Sequence, residues 1–502
     1  MSNLSARISE FLALSTQFRL GHLITEAPHH LTRELSHWAV KDLPQGLRAL
    51  QAVDALALRA LERESENIWK LHQKIQATLQ NGHDVLLVGC GATGRLSLVL
   101  EVLSLQMNRY PGRIRAFMAG GDYALIKSVE SFEDRTEYGA RQLQELGFQD
   151  GDLLLAITEG GETPFVIGAC LEAARVSQTP PSFLYCNPDG TLEGLQRCWQ
   201  VLNHPHIDKL NLTCGPMALT GSTRMQASTV QMAAAGFALL YDWGSFAEMR
   251  QYILQWCEWH SSQSWAGLAP FIEQEATWHA EGVPVTYVSD PSLAISLLTD
   301  TTERSPTFSQ PAFENIQEKG PTAPIYLAVH GTEHSEQAWH ALLGRPPRTL
   351  EWPEFHGRIG GAVLQGFDIS TGAIARRSGE TVSFTALPGQ VLWQSEGQRW
   401  SQPLWDQHPL TTHLSLKTAV NALSTLLMGR RGFYLDNVMT WVRPSNFKLI
   451  DRATRYVQLL AARRGVTTEY APIVTQVMTE MENGGEGPVV IRVLKNLGVV
   501  LS

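Results

Sequence analysis

Several features that would assign this chain to a class at once are scarce or missing. Only six cysteines stand in its 502 residues: Cys90, Cys170, Cys186, Cys198, Cys214 and Cys257. They are scattered, no two form a C-x-x-C pair, and no histidine cluster stands at ligand spacing. Reduced structural thiols are therefore expected, with no metal and no disulfide framework. No apolar run approaches the ~20 residues that cross a bilayer. The opening MSNLSARISEFLALSTQF lacks a signal-peptide pattern, so a soluble, cytoplasmic protein without a membrane partner is expected. Excess positive charge is missing too. The formal net charge is −9 and the isoelectric point is near 6.0, with Lys and Arg dispersed, which argues against a nucleic-acid partner. Apolar material is not lacking. At 44% hydrophobic residues the chain can bury a large core and form two or three domains.

The first stretch, to about residue 80, reads as helix. Apolar residues recur at three- and four-residue intervals through DLPQGLRALQAVDALALRALERESENIWKLHQKIQATLQ, and NGHD ends the pattern. Strands and helices then alternate. DVLLVG (84–89), RIRAFMAG (113–120), GDLLLAIT (151–158), SFLYCN (182–187) and KLNLTC (209–214) are the strand candidates, with helices starting near Thr93 and Thr163. Continuous apolar strands separated by helices imply a parallel sheet covered on both faces. A second series follows: VPVTYVS (283–289), PIYLAVHG (324–331), GAVLQGFDIS (361–370) and TVSFTALP (381–388). DVLLVGCGATGRLSLVLEVL and PIYLAVHGTEHSEQAWHALL share a strand, turn and helix layout, which suggests a diverged duplication. From about residue 433 the chain turns helical. The expected divisions are an N-terminal helical arm (1–55), two α/β domains (56–262 and 263–432) and a helical C-terminal segment (433–502).

Gly89, Gly91 and Gly94 follow the first strand at G-x-G-x-x-G spacing. Such glycines allow a tight turn whose N–H groups, with the next helix N-terminus, face an anion; they also simply let helix pack on strand. A dinucleotide site wants an acid at the end of the second strand, where Asp122 is the candidate. A P-loop is excluded because no Lys-Ser or Lys-Thr follows the glycines. The third strand ends in a similar turn, with Thr158, Gly160, Gly161 and Thr163 before Pro164. Two short hydroxyl-bearing turns at one sheet edge suit a compact phosphomonoester better than an extended dinucleotide, although the threonines also suit helix caps. GPMALTGSTRMQAST adds Thr220, Ser222, Thr223 and Arg224. Glu130 and Glu133, three apart, would share a helix face, with Asp134 following. Arg304, Ser305 and Thr307 of TERSPTF resemble an anion site in a loop, and Lys417 and Asn421 stand at i,i+4 on an apolar helix.

Taken in order, these blocks resemble the sugar isomerase (SIS) domain proteins, and among them the N-acetylmuramic acid 6-phosphate etherases and the glucokinase regulatory protein. GCGATGRL, AGGDYALIKSVESFEDR, TPFVIGA, GPMALTGSTRM and LKTAVNALST…NVMTWVRPSNFKLIDRA carry the resemblance over nearly the whole chain. The GPMALTGSTRM and LKTAVNALST blocks stand about 190 residues apart here, with α/β sequence between. That is similar to the regulator's layout and implies two tandem SIS domains, flavodoxin-like parallel sheets flanked by helices, with a helical C-terminal lid.

The resemblance also implies roles. Gly91, Ala92, Thr93 and Gly94 form a phosphate-binding turn in which Thr93 matches a serine and Ala92 replaces a threonine. Thr158, Glu159 and Gly160 lie in the second binding loop. Glu162 stands where the regulator has serine and the etherases arginine, and its carboxylate would repel a phosphate there. Glu133 matches the etherase base and a ligand-contacting glutamate of the regulator. Arg224 and Lys417 match basic residues of the sugar-phosphate site, while Gln226 replaces a lysine. Leu103 occupies the etherase general-acid position. The expected function is therefore a sugar-phosphate-binding, ligand-gated regulator or sensor without cofactor, with a protein partner such as a sugar kinase. The alternative is a sugar-phosphate lyase or isomerase with Glu133 as base.

Overall fold

A computed structural model describes residues 3–15, 19–129, 132–444 and 446–501. Strands β1 (Val85–Gly89), β2 (Ile114–Met118), β3 (Leu153–Ile157), β4 (Ser182–Tyr185) and β5 (Asp208–Asn211) form one parallel sheet in the order β2-β1-β3-β4-β5. Every residue of β1 and β3 is buried, as expected for strands with helices on both faces. The order reverses at β1, so the carboxyl ends of β1 and β3 are neighbours at the topological switch point, where ligands of open α/β sheets bind. Both glycine turns of the sequence emerge there.

The second sheet contains β6 (Val285–Ser289), β7 (Ile325–Val329), β8 (Glu380–Leu387), β9 (Gln390–Ser395) and β10 (Gln398–Pro403), in the order β10-β9-β8-β6-β7. It is parallel across β7-β6-β8 and antiparallel across β8-β9-β10. The β9–β10 hairpin is not anticipated from hydrophobic pattern, although Gly389 (φ 73°) marks the turn from β8 into β9 and Gly397 (φ 72°) the turn from β9 into β10. The strand expected over 361–370 does not form. Gly361–Gln365 is a short helix, and only Ser370 bridges to Val329. The 315–317 loop takes the backbone groups a strand would need: Asn315 Nδ2 donates to Val363 O, Ile316 N to Gly366 O and Gln317 Nε2 to Ala362 O.

One hydrophobic core runs through both sheets and their helices. At its centre lies the 22-residue helix Pro409–Arg430, buried almost all round, with Gln226–Leu239 and Pro291–Phe308 packed on it. The C-terminal helices Phe447–Ala462, Tyr470–Asn483 and Val489–Asn496 pack on one another. No described helix is long and apolar enough to cross a membrane, and all six cysteines are free thiols.

Candidate functional site

The glycine turn after β1 is built tightly. A Cβ on Gly89 would stand 2.3 Å from the Thr93 backbone, and one on Gly94 would stand 2.5 Å from Met118 Cβ. Gly91 instead carries a positive φ of 53° and faces open space. Two of the three motif glycines are thus demanded by helix–strand packing and one by backbone conformation. The following helix, Gly91–Gln106, starts with Cys90 as its N-cap. Thr93 Oγ1 accepts from Cys90 N at 3.0 Å and donates to Cys90 O at 2.9 Å, so in this state the buried hydroxyl serves the helix cap.

The second turn is also internally bonded. The Thr158 and Thr163 hydroxyls pair at 3.0 Å, so Thr163 stands at the N-cap position of the helix Pro164–Val176 without a side-chain capping bond, and proline takes the first helical position. Asn187 holds the turn from beside it, donating to Gly160 O at 3.0 Å. Glu159 differs from its neighbours. Burial raises its carboxyl to about 7, and Glu303 pushes the same way against its own backbone N–H, Lys448 and Lys417. Its Oε1 has no hydrogen-bond partner among the described residues.

A cavity of about 310 Å³ opens beside these turns. Glu133, Glu162, Thr163, Arg197 and Lys448 face it, together with Asn446, which caps the helix Phe447–Ala462 by accepting from Leu449 N. Glu133 does not lie on the expected helix. It sits in a turn before the helix Thr136–Glu145, with its carbonyl accepting from Phe165 N at 3.0 Å; Glu130 lies outside the described residues. The Glu162 carboxylate is not a lone repulsive charge. It pairs with Arg197 and, at 3.2 Å, with Lys448. Burial alone would raise its pKa, but these two cations outweigh burial and hold it below the usual range.

Arg224 and Lys417 meet Ala92 at a second, far smaller space of about 10 Å³, also bordered by Glu303, room for about one water. Arg224 pairs there with Asp300 at 3.0 Å. Lys417 Nζ donates to Thr229 Oγ1 at 2.7 Å, Arg224 O at 2.8 Å and Asn421 Oδ1 at 3.1 Å. Burial pulls Lys417 down to about 8 against the support of Asp54. Gln226 is fully buried and donates to Asp54 while accepting from Ala218 N. The structure thus divides the expected residues, with Glu133 on the larger space and Ala92, Arg224 and Lys417 on the smaller one. Gly91, Thr93, Gly94, Thr158, Glu159 and Gly160 belong to the two turns and line neither space.

Other expectations change. TERSPTF is no loop, because Arg304 lies within the helix Pro291–Phe308, fully buried, paired with Glu275 and Asp300. Asp122 cannot serve a dinucleotide ribose as placed: Arg345 grips it at 2.6 Å and Arg348 N donates to it at 2.6 Å. Leu103 is fully buried in the core, and Glu101 turns to Arg345 and Arg348. The pattern reading passes over Arg197, Lys448 and Glu303. Lys448 had a signal, the Asn446 cap opening a helix; Arg197 and Glu303 had none in their own segments.

Residues 67–175 match the family model described as the glucokinase regulatory protein N-terminal SIS domain. The N-acetylmuramic acid 6-phosphate etherase of Staphylococcus epidermidis is 29% identical over 214 residues, 42% of this chain and 68% of that protein. The etherase of Clostridium botulinum strain Okra is 29% identical over 223 residues, 43% of this chain and 67% of that protein. The chain therefore spans about two thirds of the length of these relatives. Among solved structures, a tagatose-6-phosphate ketose/aldose isomerase from Escherichia coli aligns with a TM-score of 0.45 and 10% identity, over 81% of this chain and 98% of that one. In sequence the chain is similar to SIS-domain proteins of both the regulator and the etherase type.

Proposed function

We propose that this protein binds a phosphorylated sugar, of the hexose or amino-sugar class, at the carboxyl edge of the first sheet, and that occupancy biases the position of its C-terminal helices. The observation that carries this reading is the cavity of about 310 Å³ faced by Glu133, by the N-terminus of Pro164–Val176 and by Lys448 of a C-terminal helix. Its volume lies at the low end of the ~300–1,000 Å³ of small-molecule sites, which suits one sugar ring better than a dinucleotide. Glu133 would accept hydrogen bonds from sugar hydroxyls. Because Lys448 belongs to a different element from the sheet turns, a ligand touching both has different affinities for different helix positions and shifts their populations. A protein partner, such as a sugar kinase, would read that shift.

Thermal-shift measurements with hexose and amino-sugar phosphates test the reading. Stabilisation by a member of that panel, reduced in Glu133→Gln, is expected, with no response to NAD or NADP. No response to any sugar phosphate would sink it.

The similarity to etherases, together with Glu133 in an open cavity, favours a lyase as the second reading. There the Glu133 carboxylate would take the C2 proton as the carbon–oxygen bond to the lactyl group breaks. The departing oxygen must gain a proton, and Leu103 offers none; such assistance is worth ~10²–10⁴-fold. Incubation with N-acetylmuramic acid 6-phosphate decides between the two. D-Lactate release that disappears in Glu133→Gln would establish the lyase, and its absence would leave the binding protein.

A further inference from the structure

Resting on the sugar-phosphate reading of the cavity, we infer that Arg197 and Lys448 form its anion seat and that Glu162 is the seat's resident counter-ion, exchanged for the phosphate of an incoming ligand. The cations expected from sequence are already committed. Arg224 is paired with Asp300, Lys417 donates to two side chains and a carbonyl, and the space they share has room for about one water. Arg197 and Lys448 are the only cations among the described residues lining the open cavity. Their side chains are 31% and 33% exposed, whereas the Glu162 side chain between them is 8% exposed. The cations are therefore reachable from the cavity, with the carboxylate tucked behind them.

The ion pair leaves one donor of Arg197 unused. Arg197 reaches Glu162 through Nη2, and its buried Nε has no hydrogen-bond partner among the described residues. Half of a fork suited to bidentate oxyanion binding is thus unused. A phosphate monoester carries ≈ −1.5 to −2 charge and three acceptor oxygens, against one charge and two oxygens for Glu162. Exchange therefore favours phosphate, and it discriminates against ligands with a single negative charge. Gly160 and Gly161 immediately precede Glu162, and Gly161 holds a φ of 79°, so the turn that must release the carboxylate carries little side-chain bulk. Lys448 lies in the first turn of Phe447–Ala462, so the exchange replaces a sheet-to-helix ion pair by a ligand-to-helix one. This makes Glu162 a determinant of both affinity and helix coupling.

Isothermal titration of the full chain with inorganic phosphate and with N-acetylglucosamine 6-phosphate tests this. Removing the competing charge in Glu162→Gln should tighten binding of both probes roughly tenfold, and Arg197→Met and Lys448→Met should each weaken it by a similar factor. Unchanged or weaker binding by Glu162→Gln overturns the counter-ion. Should that variant not fold, the two partly exposed cations decide, and affinity indifferent to both overturns the seat. Wild-type binding that ignores all three residues removes this inference and leaves the sugar-phosphate reading standing. Failure of wild type and every folded variant to bind either probe removes both.

Discussion

Gly94 shows at the scale of one residue how a familiar spacing can be dictated by packing before any ligand is considered. A methyl group there would overlap Met118 Cβ at 2.5 Å and press on Gly89 O at 3.0 Å, forcing the Gly91–Gln106 helix off β2. Gly94→Ala is expected to cost about 1–3 kcal/mol in urea unfolding, as overpacked cores do. Glu159 is the opposite case, a residue whose peculiarity is invisible in sequence because its cause is burial. Its folded-state pKa is raised from 4.5 to about 7, so the native state holds the proton longer than the unfolded chain. Stability should therefore fall as pH rises from 4.5 to 7, with the full penalty present above 7. Glu159→Gln should flatten that slope, gaining about 1–3 kcal/mol over wild type at pH 8 and little at pH 4. Urea titrations at the two pH values check it, and an equal difference at both would refute the assignment. The Glu133 position was legible from the resemblance, but its turn conformation was not, because an i,i+3 acid pair looks the same in a helix and in a loop.

Elements were legible wherever pattern and local chemistry agreed. The five strands of the first sheet appear within a few residues of their expected places, because fully apolar runs bounded by glycine turns have few alternatives. The second sheet was less legible. GAVLQGFDIS is apolar enough for a strand, yet the 315–317 loop competes for its backbone, a contact that no local pattern announces. The joint between the N-terminal segment and the C-terminal helices was equally hidden. Glu26 binds Arg452 and, at 3.1 Å, Arg455, both on Phe447–Ala462. Burial would raise the Glu26 carboxyl, but the two guanidinium groups outweigh it and bring it to about 2. A depressed carboxylate contributes stability above its unfolded pKa of 4.5 and loses it as pH falls toward 2. At most about 3 kcal/mol is at stake. Glu26→Gln should shift acid unfolding to a shallower limb and loosen the C-terminal helices, which protease sensitivity of residues 447–496 would report. An acid limb identical to wild type would exclude the joint.

Across the whole molecule, buried ion pairs fasten the two α/β units. Arg345 from the second holds Glu101 and Asp122 of the first, Arg95 holds Glu303 at 2.6 Å, and Arg224 holds Asp300. Arg345→Ala would leave two nearly inaccessible carboxylates short of their partner, a loss expected to cost about 3–5 kcal/mol. Because one core spans both units, calorimetry of the wild type should show a single unfolding transition rather than two. Two separated transitions would mean that the units are stable alone. The sequence by itself determined the α/β class, the first sheet's strands, the glycine turns and the helical C-terminus, since all of these follow from hydrophobic period and turn chemistry within short windows. Only the tertiary structure decided which cations face open space. Arg224, Arg304 and Lys417 are engaged in the core by Asp300, Glu275 and Thr229, each at least 29 residues away from the cation it meets except Asp300 beside Arg304, whereas Arg197 and Lys448 meet Glu162 at an open cavity. The reason is physical: a charge's availability depends on what is buried against it, and burial is a property of the packed chain rather than of any segment.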